Sequence, residues 1–301
     1  MPINYINNVP NFGILDTNAV LTTPWSSLNQ VEQGFEVKIA IAKSSTNSPG
    51  LAVGDMVFSA TDPFDLTTGR PSRIGWLSAD GTQNNTNWVL IPNEQQLFQA
   101  FTIDETGLWG NDLLAVTGDD RPLTTLTNLN IWRVHSRTNI QLVTNISALH
   151  LEGALTVPGL SKYGPWAGKF LTADEDQNLI FAVSTNGTVA TFSTPSISAD
   201  VFAIVPTNQD LYCVEFDESN SDQSNLLKLP REFLRRYVGD ILVCQGGENA
   251  PAHPIIFIVR WNLTLNQFDI VQSLDLLTWL PSSDFIFFEK VAFAPISMPA
   301  L

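Results

Sequence analysis

The sequence predicts an all-β fold, a single six-bladed propeller built from four-stranded antiparallel blades, and three observations support this prediction. An apolar segment that starts with an acidic or amide residue recurs along the chain, further short apolar runs follow each copy, and Asn-Gly or Asp-Gly pairs separate some of these runs. Repeats at a spacing of roughly 40–50 residues are typical of propellers. Helical periodicity over a long window is missing except near Phe233, so an α/β fold has little support.

The first element of each repeat is predicted to be the innermost strand of a blade. A carboxylate or an amide marks the same position in five copies: Glu36, Gln99, Glu152, Asp200 and Glu289. In three of the copies this position precedes a proline by six residues. A sixth copy is expected between Asp200 and Glu289, where Pro230–Tyr237 is the only candidate and a short helix fits equally well.

The second and third strands follow each inner strand. Predicted second strands are Asp112–Val116, Lys169–Ala173 and Asp240–Cys244. Predicted third strands are Arg73–Leu77, Asn130–Val134, Leu179–Val183 and Ile256–Arg260. Asn186-Gly187 and Asp80-Gly81 then predict hairpin turns into the fourth strands, because both turn positions must accept a positive φ.

The order of the strands predicts how the ring closes. Few residues follow the inner strand near Glu289, so we expect the N-terminal segments Asn4–Asn7 and Phe12–Leu15 to supply the outer strands of that blade. No linker rich in Gly, Pro or Ser divides the chain. Residues 1–301 are therefore expected to form one domain.

Charge and composition limit the partners and the location. With 30 acidic and 15 basic residues the net charge is −15, which disfavours nucleic acids and anionic membrane surfaces as partners. No run of about 18 apolar residues predicts a membrane span, and the first residues do not form a signal peptide. The location stays open, although the neutral polar composition is compatible with a secreted protein. The only two cysteines, Cys213 and Cys244, are expected to be buried free thiols.

The inner-strand pattern with Glu152-Gly153, together with six apparent blades, resembles the calcium-dependent six-bladed propellers that include gluconolactonases, paraoxonases and related lactonases. This resemblance covers most of the chain as an architecture and implies a calcium ion and hydrolysis of lactones or esters. The full set of Asn and Asp ligands of those families is not found here. Propellers of the NHL type and those similar to streptogramin lyases look alike at this level and have different functions.

The inner-strand repeat predicts a ring of acidic side chains around a central channel, because the same face of every inner strand lines that channel. Repulsion between such carboxylates is relieved by raised pKa values or by a bound hard cation, for which Ca²⁺ is the natural candidate. The predicted ligands are Glu36, Gln99, Glu152, Asp200 and Glu289. A water-filled acidic channel without a metal is the alternative, and a register shift of one residue would turn these side chains to the other face.

One histidine is a candidate for catalysis. His150 lies two residues before Glu152, so on a continued strand both side chains point to the same face. Beside a metal-held substrate His150 would act as a general base, whereas a lone histidine at a strand start is more often a surface or hydrogen-bonded residue. Whether the chain is an enzyme is left open by the sequence.

Three functions follow from the sequence. The first is a propeller that binds a small molecule, a glycan or a protein at its funnel mouth, with or without calcium support. The second is a metal-dependent hydrolase of lactones or esters, and the third is a structural subunit of an assembly. Trp109 and Trp166 precede second strands and would reach the funnel mouth as sugar-stacking rings, but core or inter-blade packing is the better interpretation of the eight tryptophans.

Overall fold

The computed structural model describes residues 3–6, 9–15, 20–22, 37–61, 69–118, 125–194, 197–217, 226–246, 254–276 and 286–295. Five antiparallel sheets in this part of the chain have a propeller arrangement, four with four strands and one with three. Their innermost strands contact one another in succession, as radially placed blades require. The predicted all-β propeller class is therefore confirmed.

The strands of each blade are given from the innermost outwards. Blade 1 contains β5 (Ile39–Ile41), β6 (Met56–Ser59), β7 (Arg73–Leu77) and β8 (Asn84–Leu90). Blade 2 contains β9 (Leu97–Ile103), β10 (Leu113–Gly118), β11 (Thr127–Ser136) and β12 (Asn139–Ala148). Blade 3 contains β13 (Leu151–Thr156), β14 (Phe170–Asp174), β15 (Leu179–Val183) and β16 (Val189–Ser193).

The last two blades share one stretch of chain. Blade 4 contains β17 (Val201–Ile204), β20 (Ile241–Gln245), β21 (Ile255–Asn262) and β22 (Gln267–Asp275). Blade 5 contains β23 (Ile286–Pro295), β18 (Gln209–Asp217) and β19 (Leu226–Leu229). Because β18 and β19 lie between β17 and β20 in sequence, blade 5 is built from an insertion into blade 4 and from the last strand.

The prediction of six blades is wrong, since the described residues form five. The segment Pro230–Tyr237, which the sequence allows as either the sixth inner strand or a short helix, forms a short helix at Arg231–Leu234 and a 3-10 turn at Arg235–Tyr237. Leu234 and Tyr237 are buried while the residues around them are exposed, so the buried positions follow a helical spacing. Pro230 precedes the helix, where its fixed φ and missing N–H are tolerated.

The predicted closure by N-terminal strands is also wrong. The last strand β23 pairs with β18 over most of its length, with Leu211 opposite Phe293. The described N-terminal strands pair with one another instead: β1 (Ile3–Ile6) with β2 (Val9–Phe12), and β3 (Ile14–Leu15) with β4 (Leu21–Thr22). The ring of Phe12 packs edge-on against Phe58, so the N-terminal segment covers one face of blade 1.

The hydrophobic core lies between neighbouring blades. Separate clusters of buried side chains fill the spaces between blades 1 and 2, 2 and 3, 3 and 4, and 4 and 5. Cys213 and Cys244 belong to the last of these clusters, and both are buried free thiols, as predicted. Burial raises the pKa of the Cys213 thiol to about 12, so this group is inert as a nucleophile.

A polar contact recurs at one end of blades 1 to 4. The residue that leads into the second strand reaches across to the third strand or its end: Asp55 to Trp76, Asp112 to Arg133, Lys169 to Ser184 and Asp240 to Arg260. Glycines with positive φ precede these residues, for example Gly54 and Gly239, because the chain turns sharply between the first and the second strand. These links fix the loops that join the two strands.

In the part of the chain that the structure describes, no helix is long and apolar enough to cross a bilayer.

Candidate functional site

A β-bulge positions Glu152 on the innermost strand of blade 3. Opposite β14, Glu152 pairs with Ala173 and Leu155 pairs with Leu171, so β13 has one extra residue between them. Gly153 takes a positive φ there, and a Cβ atom on it would lie 2.8 Å from the carbonyl oxygen of Asp200. The glycine after Glu152 therefore allows blades 3 and 4 to approach closely, and the bulge changes the direction of the Glu152 side chain.

Glu152 forms a buried ion pair with Lys38. The Lys38 ammonium lies 2.7 Å from Glu152 Oε1, and the side chains are only 3% and 7% exposed. Lys38 directly precedes the innermost strand of blade 1, where its amide donates to Ser59 Oγ. Because blade 2 separates blades 1 and 3, this contact crosses the centre of the propeller.

His150 lies between two carboxylates. Its Nδ1 is 2.9 Å from Glu175 Oε1, and its Nε2 is 3.6 Å from Glu152 Oε1. Burial alone lowers the pKa of this imidazole, but the hydrogen bond to Glu175 and the charges of both carboxylates raise it to about 9. His150 is therefore protonated at neutral pH. A general base needs a neutral ring, so a protonated His150 does not fit that predicted role at neutral pH.

Glu175 connects His150 to Asp200. Burial raises the pKa of Glu175, but hydrogen bonds with His150 and Asp200, and the positive charges of His150 and Lys38, lower it below its usual value. A hydrogen bond between two carboxyl groups requires a proton on one of them. Asp200 is buried just before β17, and its amide donates to the carbonyl of Cys244.

The five residues Lys38, His150, Glu152, Glu175 and Asp200 form what we call the inner-strand charge cluster. Two cationic groups, Lys38 and His150, face three carboxyl groups, of which Glu175 and Asp200 are hydrogen-bonded to each other, so protein cations offset most of the negative charge. The sequence predicts repulsion within a ring of acidic side chains. At Glu152 this repulsion is relieved by the cations of Lys38 and His150.

Gln99 occupies a second bulge. Val116 pairs with Ala100 and Thr117 with Phe98, which leaves Gln99 as the extra residue of β9. Its side chain is buried, and neither amide atom has a hydrogen-bond partner in the described part of the chain. The repeat position of blades 2 and 3 thus coincides with a bulge in both.

The other two predicted ligands cannot be placed with these. Glu36 lies outside the described residues. Glu289 lies on β23, and its side chain is outside the description. Within the described ranges, no three His, Cys, Asp or Glu side chains form a group that could hold a metal.

Apolar side chains are exposed at one end of the propeller, on what we call the loop face. It consists of the connections from the first to the second strand and from the third to the fourth strand of blades 1 to 4. Exposed aliphatic and aromatic side chains on these connections are Val53, Leu108, Leu160, Phe233, Val238, Leu263 and Leu265. The polar contacts between second and third strands lie at the same end.

Direct contacts join the neighbouring loops of this face. The Ser48 amide of blade 1 donates to the carbonyl of Asn111 in blade 2 over 2.9 Å. Leu108 of blade 2 lies against Gly159 of blade 3, where a Cβ atom would be 3.3 Å from it. Lys162 of blade 3 lies against Gly239 of blade 4. The loops therefore form one continuous surface.

The tryptophans expected near the funnel mouth are buried instead. Trp109 and Trp166 are 0% and 1% exposed, and Trp166 stacks on Phe268 with 3.8 Å between ring centroids. Trp166 therefore joins blade 3 to blade 4. Packing, which was the favoured interpretation, is confirmed for these two residues.

Sequence reasoning missed Lys38, Glu175 and Glu94. A lysine within the apolar run that follows Glu36, on the same face by strand alternation, was the available signal for Lys38. Glu175 lies in a turn 25 residues after His150, so no sequence pattern linked the two residues. Glu94 is buried and accepts hydrogen bonds from Thr117, Asn130 and Trp132 and from two backbone amides, so it supports blade 2.

Comparisons with known proteins give distant structural similarities. No protein-family model and no curated protein sequence matches the chain. Virginiamycin B lyase from Staphylococcus aureus has a TM-score of 0.45 at 13% identity, over 87% of this chain and 63% of that one. A protein of unknown function from Bacteroides caccae has a TM-score of 0.41 at 14% identity, over 83% of this chain and 64% of that one.

A catalytically inactive form of the Staphylococcus lyase with quinupristin has a TM-score of 0.39 at 11% identity, over 87% of this chain and 89% of that one. The chain thus spans slightly less than two thirds of the first two structures. Because these TM-scores are low, the evidence for the propeller arrangement is the chain's own five sheets and not its similarity to these structures.

Proposed function

We propose that this chain is a binding propeller that docks a protein or peptide ligand on its loop face. The observation that carries the proposal is the exposure of apolar side chains on the adjoining loops of four successive blades. Contiguous apolar surface on a protein marks interaction sites more often than scattered apolar residues do. A shared surface of several loops suits a macromolecular ligand, because small-molecule sites are concave.

The proposal is tested by selecting peptides by display against the wild-type chain and measuring their affinity for variants. Leu108→Ser with Leu160→Ser removes two apolar side chains from the loop face. Leu142→Ser with Ile270→Ser is the matched control, because both residues are exposed on the outermost strands β12 and β22. We expect the loop-face variant to weaken binding about tenfold or more, as for central interface residues, and the control to change it little. Equal losses in both variants would contradict the proposal.

A metal-dependent lactonase or esterase is the second candidate, and its calcium ion would be held by the five predicted ligands. Of the described ligands, Glu152 already binds the ammonium of Lys38 and faces the protonated His150. Cations around this carboxylate repel a divalent ion, so the donor set does not fit Ca²⁺ at Glu152. Calcium binding elsewhere in the channel stays a prediction of the sequence pattern alone. A structural role in an assembly also stays a prediction, and sedimentation velocity tests it.

A further inference from the structure

A positively charged and apolar corner of the loop face stands out in an otherwise acidic chain. The chain carries a net charge of −15, yet the exposed cations Lys162, Arg235 and Arg236 lie on the loops of blades 3 and 4. Lys162 contacts Gly239, three residues beyond Arg236. We call the three cations, together with Phe233 and Leu263, the basic corner.

Two cations of this corner lie over tyrosine rings, and none of the three is ion-paired within the described residues. Lys162 lies over the Tyr163 ring at 4.9 Å, and Arg236 lies over the Tyr237 ring at 4.8 Å while donating to Gln272. Within the described residues none of the three cations forms an ion pair with a carboxylate, whereas the nearby Arg231 and Arg260 pair with Glu232 and Asp240. Three positive charges at the protein surface are thus available to a ligand.

Apolar side chains border the same cations. Phe233, Arg235 and Arg236 line one open surface groove together with Glu232. Leu263 is 68% exposed on the turn after Trp261, and Trp261 packs on Gly164, two residues beyond Lys162. A ligand at this corner can therefore combine negative charge with apolar contacts.

We propose that the basic corner binds a short acidic segment of a partner protein, one in which carboxylates alternate with large apolar side chains. Charge complementarity selects the carboxylates, and the exposed Phe233 and Leu263 receive the apolar groups. A long polyanion is disfavoured, because it would extend onto the acidic remainder of the molecule. This inference rests on the proposed binding function and names the ligand class for one part of the loop face.

The test uses a fluorescein-labelled peptide in which Glu and Leu alternate, with fluorescence anisotropy as the measurement. Two control peptides replace either every Glu by Lys or every Leu by Ser. Arg235→Glu with Arg236→Glu reverses the charge of the corner. Lys43→Glu with Arg137→Glu makes the same change in charge on exposed residues of blades 1 and 2 at the same end of the propeller.

We expect the Glu-Leu peptide to bind the wild type and both control peptides to bind more weakly. The corner variant should weaken binding about tenfold, and the matched variant less than about twofold. Raising the salt from about 50 mM to about 500 mM should weaken binding by the wild type several-fold, because exposed charges are screened.

Three results would overturn the inference. Equal losses in both charge variants would show a response to net charge alone, and equal binding of the Glu-Ser peptide would show a general anion site. A salt-sensitive dimer in sedimentation velocity that is lost in the corner variant would identify a second copy of this chain as the occupant. If the corner variant binds the Glu-Leu peptide normally while Leu108→Ser with Leu160→Ser still loses the display-selected peptides, the inference fails and the proposed function stands.

Discussion

The ammonium of Lys38 lies 2.7 Å from the carboxylate of Glu152, although 114 residues separate the two in sequence. Both side chains are buried, and they belong to blades that are not neighbours. Removing one partner of such a pair leaves a buried charge without compensation, which typically costs about 3–5 kcal/mol. The Lys38–Glu152 pair connects blade 1 to blade 3 across the channel, and we expect the fold to depend on it.

Lys38→Met is expected to lower the free energy of unfolding by about 3 kcal/mol or more, because Glu152 loses its cation in a buried place. Urea unfolding followed by tryptophan fluorescence measures this change. Lys43→Met is the control, since the Lys43–Glu105 pair is exposed and such pairs contribute about 1 kcal/mol at most. Adding Glu152→Gln to Lys38→Met should recover part of the loss, and a double variant as unstable as the single one would contradict this account.

The titration of His150 predicts how stability depends on pH. Its pKa is raised from 6.5 to about 9 in the folded chain, so the folded state binds the proton more tightly than the unfolded state. The stabilisation from His150 is complete below about pH 6.5 and is lost as the pH rises through about 9. We expect the difference in unfolding free energy between wild type and His150→Gln to shrink over this window. An NMR titration of the imidazole that gives a pKa near 6.5 would show that Glu152 and Glu175 do not hold the proton.

Gly164 predicts a steric requirement between blades 3 and 4. It has a φ of +54°, and a Cβ atom on it would collide with the Trp261 indole. Gly164→Ala should cost more than about 1 kcal/mol, because its backbone (φ +54°, ψ −132°) lies in a region that L residues rarely adopt and the Trp261 ring must also move. Gly50→Ala is the matched control, since Gly50 has a φ of +76° with nothing within 4 Å of the added carbon. Thermal unfolding compares them, and equal shifts in Tm would show that Trp261 moves aside freely.

Calcium addition tests the metal prediction directly. We expect chelator-treated wild type to show no calcium-dependent rise in Tm, because Lys38 and His150 already compensate Glu152. A ligand at 100 times its Kd would stabilise the native state by about 2.7 kcal/mol, which is easily detected. A clear rise in Tm would show that calcium binds after all. If Gln99→Ala abolished this rise and Gln95→Ala did not, the calcium site would lie at the inner strands.

The repeating part of the fold could be predicted from sequence, because local patterns determine it. The second strands near Leu113, Phe170 and Ile241 and the third strands near Ile74 and Ile180 lie where the apolar runs placed them. Blade number depends instead on which distant strands pair. The apolar runs of β18 and β19 carry no local signal that their partner is β23 rather than a neighbouring blade.

The candidate site was predicted in part. Repeat alignment found Glu152 and Asp200, and strand alternation placed His150 beside Glu152. The cations that decide the chemistry could not be found in this way, since the side chain of Lys38 reaches Glu152 only after the blades have assembled. The loop face was missed because exposed apolar residues in loops have no periodic pattern.

The insertion that creates blade 5 has a consequence for the integrity of the molecule. Strand β18 is held between β19 and β23, so detachment of β23 would bare a long row of backbone N–H and C=O groups on β18. Such a row is a template for strands from other molecules. Fraying of the final strand would therefore create an open edge through which copies of this protein can aggregate.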